Sequence, residues 1–263
     1  VADAARDDAS QHDGGSLRVL VVEHEADAGL GLVGERLNAA GVDVRVVGPD
    51  AEADVPTRAD GFDGVVVLGG TPGPLEDDRA PWLGPTRELM RSTLDAGIPL
   101  LGVCLGAQLL AVVAGGEVAE AARGGEVGLR EVRMTDAAAS DPLLHDLPDD
   151  LRTLQWHFLE VRELPAGSVP LSTSDRCPNQ AFRVGDSAWG LQFHLEATAR
   201  TALDWTATGA ADLAAVGLTA DEVVSDVRAA EQDLRETWSI VADRWIDVVR
   251  ESTEARDRAA LRS

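Results

Sequence analysis

Residues 97–113 read GIPLLGVCLGAQLLAVV, and the fold is decided by how this stretch is read. Residues 98–103 are a continuous apolar run of strand length, Leu109, Leu110 and Val113 recur at helical spacing, and Gly102-Val103-Cys104-Leu105-Gly106 stands at the junction. A strand that is apolar on both sides belongs in a sheet covered on both faces. Glycines two residues either side of a central side chain suit a sharp strand-to-helix elbow, because a β-carbon there would strike neighbouring backbone. The following helix turns its positive end on the cysteine, which favours thiolate and offers free amides to a developing oxyanion. Cys104 is therefore a candidate nucleophile, with an inert buried cysteine as the plainer alternative.

Working outward, the same grammar repeats upstream. Residues 17–22 form a short apolar run, residues 28–40 carry Leu30, Val33 and Leu37 at helical spacing, and residues 42–47 are strand-like again. Residues 64–68 (GVVVL) end in Gly69-Gly70, and a helix is expected over 82–96 before Gly97. Strands alternating with helices imply an α/β three-layer sandwich with a central, mostly parallel sheet, of flavodoxin-like type, whose sites lie at the carboxyl ends of the strands. Beyond Val127 the runs shorten and alternate (129–134, 152–156, 169–172, 180–184 and 188–193), so this half is β-rich. Helices return over 197–208 and after Thr219-Ala220-Asp221-Glu222, a capping-box pattern. The division expected is a solvated tail over 1–16, one α/β domain over 17–208 and a helical extension over 209–263. Val227, Leu234, Val241 and Val248 recur every seven residues beside Trp238 and Trp245. That face either packs on its own domain or makes a homodimer contact.

Composition narrows the function classes. The 46 acidic and 23 basic residues leave a net charge of −23, and every basic residue is arginine. Such a chain is unsuited to nucleic acid phosphates or an anionic membrane. Its longest apolar stretches fall short of the roughly 20 residues that span a bilayer. Two cysteines, Cys104 and Cys177, make no disulfide framework, and the first 16 residues are acidic where a secretory signal would be basic and then apolar. A cytoplasmic setting is the expectation. The five histidines show no metal-ligand spacing, and Gly69-Gly70-Thr71-Pro72-Gly73 lacks the lysine of a phosphate loop, so neither metal nor cofactor is expected.

The second chemical signal is Gln192-Phe193-His194-Leu195-Glu196, closing the last apolar run. Two residues apart in an extended chain, His194 and Glu196 project from one face, and a carboxylate beside an imidazole orients it and stabilises its protonated form. Alone the pair would read as a surface ion pair. With Cys104 it supplies the base and orienter that a thiol nucleophile requires.

Three segments together, GVCLGAQLLA (102–111), VVVLGGTPG (65–73) and GLQFHLEAT (190–198), resemble the class I glutamine amidotransferases over about residues 17–206. PWL (81–83), LQWHFLEVRELPAG (154–167) and CPNQAFRVG (177–185) are similar to the amidotransferase domain of GMP synthase. The resemblance implies that Cys104 attacks a side-chain amide, His194 moves protons, Glu196 holds His194, and a γ-glutamyl thioester forms. It implies an oxyanion hole from the amides of Gly70 and Leu105, and substrate contacts from Gln108 and His157. It also implies a small-molecule partner, glutamine or a γ-glutamyl compound, and a separate ammonia-accepting synthetase.

Two departures stand out. The family's His-Pro-Glu is here His194-Leu195-Glu196, which keeps the spacing and loses a rigid proline. Where relatives continue Trp-His with Gly-Asp, this chain has Phe158-Leu159 after Trp156-His157, two bulky apolar residues expected near the substrate's α-amino and carboxylate groups. Two further readings follow: a catalytically silent protein with an altered pocket that binds or regulates, and a different cysteine-elbow protein on the same sheet, which would need an early-strand acid such as Glu23.

Overall fold

The computed structural model describes residues 16–51 and 53–262. The expected tail lies outside the described residues except for Ser16. The chain opens with β1 (Arg18–Val22), α1 (Gly31–Ala39), β2 (Asp43–Val47), β3 (Gly64–Val67), α2 (Leu83–Asp95), β4 (Leu100–Val103) and α3 (Leu105–Val113). It continues through β5 (Glu117–Glu120), β6 (Glu126–Met134), β7 (Asp150–His157), β8 (Leu159–Glu163), β9 (Val169–Thr173), β10 (Ala181–Val184) and β11 (Ala188–Leu191), and closes with α4 (Ala199–Thr208), α5 (Ala210–Val216) and α6 (Ala220–Ala260).

Nine strands form one sheet in the order β2-β1-β3-β4-β11-β10-β9-β6-β7. Pairing is parallel from β2 through β11 and antiparallel from β11 to β7. The apolar runs read from the sequence are the parallel half, and their side chains explain why. Val19 and Val21 of β1 face one core with Leu32, Val33 and Leu37 of α1, while Leu20 and Val22 face the other with Leu89 of α2 and Leu109 of α3. A strand buried on both faces cannot alternate with polar residues.

Helix α6 runs 41 residues, about 60 Å at 1.5 Å per residue. The capping box at its start forms, with Thr219 Oγ1 accepting from the Glu222 amide and Glu222 accepting from the Thr219 amide. Trp238 and Trp245, the face considered for a dimer contact, are 1% exposed and lie in the same core as α1 and the sheet. Trp238 Nε1 donates to the Arg152 carbonyl of β7, and Arg36 and Arg235 tie α6 to α1 through Asp243 and Glu35. Among the described residues no helix is long and apolar enough to cross a membrane.

β5 and β8 pair antiparallel as a separate ribbon that the sequence pattern does not announce. Their sequences, EVAE and LEVRE, mix charge with apolar residues because several positions face water. β11 stops at Leu191, three residues before His194. The His194 amide instead donates to the Leu154 carbonyl of β7, an isolated bridge that draws the far edge of the sheet to the ends of β4 and β11.

Candidate active site

Cys104 stands between β4 and α3 with φ 51° and ψ −104°, a conformation that L-residues avoid. The flanking glycines are required by contact. A β-carbon at Gly106 would lie 2.0 Å from the Val67 carbonyl oxygen, and one at Gly102 would lie 2.5 Å from the Gly106 carbonyl oxygen. The turn is therefore the elbow expected, and the side chain at its apex is only 6% exposed.

His194 and Glu196 come to this apex from the bend after β11. Nδ1 of His194 is 2.7 Å from Glu196 Oε1, and both side chains are buried. Glu196 is fixed through its backbone: the Leu32 amide at the start of α1 donates to the Glu196 carbonyl, an approach that leaves no room for a β-carbon at Gly31. Burial by itself pushes the His194 imidazole towards its neutral form. The charge of Glu196, then the charge and hydrogen bond of Cys104, reverse this and raise it to about 10. Cys104 and His194 line one cavity, with Glu196 bonded to the imidazole behind. The Trp205 ring of α4 stands edge-on over the imidazole at 4.6 Å and is anchored by Nε1 donating to the Asp27 carbonyl.

Around the sulfur lies a cavity of about 400 Å³, within the range of small-molecule sites. Its wall includes Gly70, Cys104, Gln108, His157 and His194, and also Phe158 and Leu159. All the expected site residues except Leu105 and Glu196 face it directly; Glu196 sits behind His194, and Leu105 begins α3. The amides of Gly70 and Leu105 carry no hydrogen bond among the described residues, so both remain available as donors. Gly70 must be a glycine here, since a β-carbon would approach His24 Cβ to 2.7 Å.

The two expected substrate contacts are already engaged. Gln108 Nε2 donates to the Leu159 carbonyl (3.5 Å) and to Gln192 Oε1 (3.2 Å). His157 Nδ1 bonds the Leu159 carbonyl, and its Nε2 is 3.3 Å from Glu126 Oε2. Glu126 is buried and accepts from Ser174 and Gln180, so a polar network lies behind the His157 wall. Among the described residues, three carboxylates, Glu25, Asp27 and Asp212, belong to the cavity lining, and no arginine does.

The sequence pattern marks Glu23-His24 only as a strand's carboxyl end and gives no role to His24 or Gln192. His24 is 1% exposed beneath Gly70, accepts from Trp82 Nε1 at Nδ1, and is pushed by burial down to about 4. Gln192 donates Nε2 to Cys104 Sγ at 3.7 Å. Its only signal in the sequence is a polar residue standing between Leu191 and Phe193 in an apolar run. Cys177 lies outside the cavity, and burial raises its thiol to about 12, which suits a structural cysteine. Among the described residues no group of three potential ligands could hold a metal ion.

The chain belongs to the glutamine amidotransferase class-I family, whose model matches residues 28–206, from the segment before α1 into α4. It is 30% identical over 180 residues to a glutamine-hydrolysing GMP synthase subunit from Natronomonas pharaonis, covering 68% of this chain and 88% of that one. It is 27% identical over 147 residues to a glutamine amidotransferase-like protein of Salmonella typhimurium, covering 55% of this chain and 61% of that one. The chain covers 24% of the length of the GMP synthase of Lacticaseibacillus rhamnosus that it matches. A glutamine amidotransferase from Thermotoga maritima superposes with a TM-score of 0.80 at 28% identity, covering 88% of this chain and 99% of that one.

Proposed function

We propose that this chain is a thiol hydrolase that cleaves the side-chain amide of glutamine or of a γ-glutamyl compound. The observation that carries the reading is the strained Cys104 in contact with a buried His194–Glu196 pair on the wall of one cavity. Cys104 Sγ attacks the amide carbon, and the amides of Gly70 and Leu105 receive the oxyanion. As the C–N bond breaks, protonated His194 gives its proton to the departing nitrogen, leaving a γ-glutamyl thioester. His194 then takes a proton from water, the hydroxide attacks the thioester, and the thiolate leaves. Glu196 keeps the imidazole oriented and stabilises its charged form throughout.

Gln108 has both amide hydrogens committed to the protein, so its Oε1 is what it can offer a substrate N–H. Where ammonia is delivered rather than released, the acceptor is a synthetase on another polypeptide; support comes from the relative named as a GMP synthase subunit. The apolar Phe158 and Leu159 in the lining favour a second reading, in which the pocket has changed its ligand and turnover is lost. One experiment covers both. Steady-state release of ammonia or amine is measured from glutamine and from γ-glutamyl amides, beside labelling of the full chain by a glutamine-analogue electrophile. Hydrolysis abolished by Cys104→Ala, with the label on Cys104, is the expected result. No turnover of any such amide would leave the binding reading, and hydrolysis unchanged in Cys104→Ala would sink the mechanism.

A further inference from the structure

Two buried amide side chains lead from the cavity wall to the sulfur, and their orientations are fixed in sequence. Gln108 of α3 is 4% exposed and Gln192, one residue beyond β11, is fully buried. The Leu159 carbonyl can only accept, so it is the nitrogen of Gln108 that faces it at 3.5 Å. That same nitrogen meets Gln192 at 3.2 Å, so Gln192 presents its oxygen there. The Gln192 nitrogen is thereby turned to Cys104 Sγ, 3.7 Å away.

We propose that Gln192 is a positioning residue for the nucleophile: it donates an N–H to Cys104 Sγ and favours the sulfur's anionic form, in an orientation imposed by Gln108. The Trp156 carbonyl also stands 3.9 Å from the sulfur, and only a thiol can donate to it. Ionisation removes that bond and leaves the sulfur needing donors. An N–H aimed at neutral sulfur is weak, whereas the same N–H aimed at a thiolate is charge-assisted and about twice as strong. The difference between the two states is what Gln192 supplies. Its mechanistic importance rests on Cys104 being the nucleophile of the proposed function, but its effect on the sulfur does not require turnover.

The test is the pH profile of iodoacetamide alkylation at Cys104, followed by mass spectrometry of the Cys104 peptide so that Cys177 does not contribute. It uses the full chain, with near-ultraviolet circular dichroism as the check of native packing. In Gln192→Leu the pH of half-maximal alkylation rises by about one unit, equivalent to tenfold less thiolate on the acid side of the curve. Gln192→Glu, which keeps the shape and puts a carboxylate beside the sulfur, raises it further. Gln108→Leu leaves Gln192 in place but frees its amide to turn, and gives a smaller rise. Natively packed variants with profiles within about 0.3 unit of wild type would overturn the proposal. Should the Gln192 variants not fold, an unchanged profile in Gln108→Leu overturns it alone. Iodoacetamide needs no glutamine pocket, so a shifted profile in a protein that hydrolyses no γ-glutamyl amide would defeat the proposed function and leave this inference standing.

Discussion

Replacing Glu196 by glutamine removes a charge and keeps a hydrogen-bond acceptor, and so separates two things the carboxylate does for His194. The two groups lie 2.7 Å apart and are 2–3% exposed. Burial drives the imidazole towards neutrality, and the Glu196 charge heads the opposing causes that hold it at about 10 against an ordinary 6.5. That gap corresponds to on the order of 5 kcal/mol in favour of the imidazolium. With about half of it assigned to Glu196, the variant loses roughly 2–3 kcal/mol, or two pH units, of support. On the proposed mechanism the imidazolium that forms opposite the thiolate and carries the proton to the departing nitrogen loses that support, and hydrolysis falls by about 10²-fold. The sign for stability follows from the same values. With the folded value raised, the contribution is whole below 6.5 and is lost as pH rises through about 10. Wild type should lose stability across that window in urea titrations, and Glu196→Gln should lose less. The direct assay is the ¹³C shift of His194 Cε1 against pH, assigned with His194→Asn. If His194 in Glu196→Gln titrates within about half a pH unit of wild type, the charge is not what sets its protonation and the reasoning fails.

Two further substitutions test the scaffold around the site. Gly106→Ala sets a β-carbon 2.0 Å from the Val67 carbonyl oxygen, with backbone on both sides of the clash. It should destabilise by at least about 3 kcal/mol, read as a lower urea midpoint; a midpoint near wild type would refute the tight elbow. His24, held by burial at about 4, has a depressed folded value. Its contribution is whole above 6.5 and is lost as pH falls through about 4, which for one group amounts to up to about 3 kcal/mol. His24→Gln cannot titrate, so its stability should fall less than that of wild type between those pH values. Equal acid slopes would show that His24 is not the group responsible.

What could be read from the sequence divides along a physical line. The parallel half was legible because strands buried on both faces must be continuously apolar, and β1, β3 and β4 are. Cys104 was legible because its constraint is local: the glycines that clear its turn lie two residues away. His194 and Glu196 were legible as a pair by spacing, although the chain reaches their geometry through a bend after β11 rather than an extended strand. β5 and β8 were missed because a half-exposed ribbon carries no clean period. His24 was legible only as the carboxyl end of a strand, and Gln192, Trp205 and Glu126 were missed, for a different reason. The hydrogen-bond partners that fix them, Cys104, Trp82, Asp27, Ser174 and Gln180, lie 48 or more residues away, and no local pattern encodes such a meeting.

A net charge of −23 raises a difficulty for a thiolate, since one more negative charge is unwelcome in an acidic molecule. Distance settles most of it: at physiological salt, exposed charges beyond about 8 Å are largely screened. What remains is local, and two of the acids closest to the chemistry are matched. Glu196 faces His194, and Glu126 accepts from Ser174 and Gln180 behind His157. Glu25 is occupied by the amide and hydroxyl of Thr71, and Asp212 by Trp156 Nε1. Against these the sulfur has the start of α3, the imidazolium of His194 and the N–H of Gln192. Among the described residues the same cavity has no arginine in its lining, and the chain has no lysine. A substrate carboxylate entering it meets no arginine or lysine, whereas an ammonium group finds the carboxylates of the rim. The global charge thus sets little of the chemistry at Cys104, while the placement of a few carboxylates sets which end of a zwitterion the rim attracts.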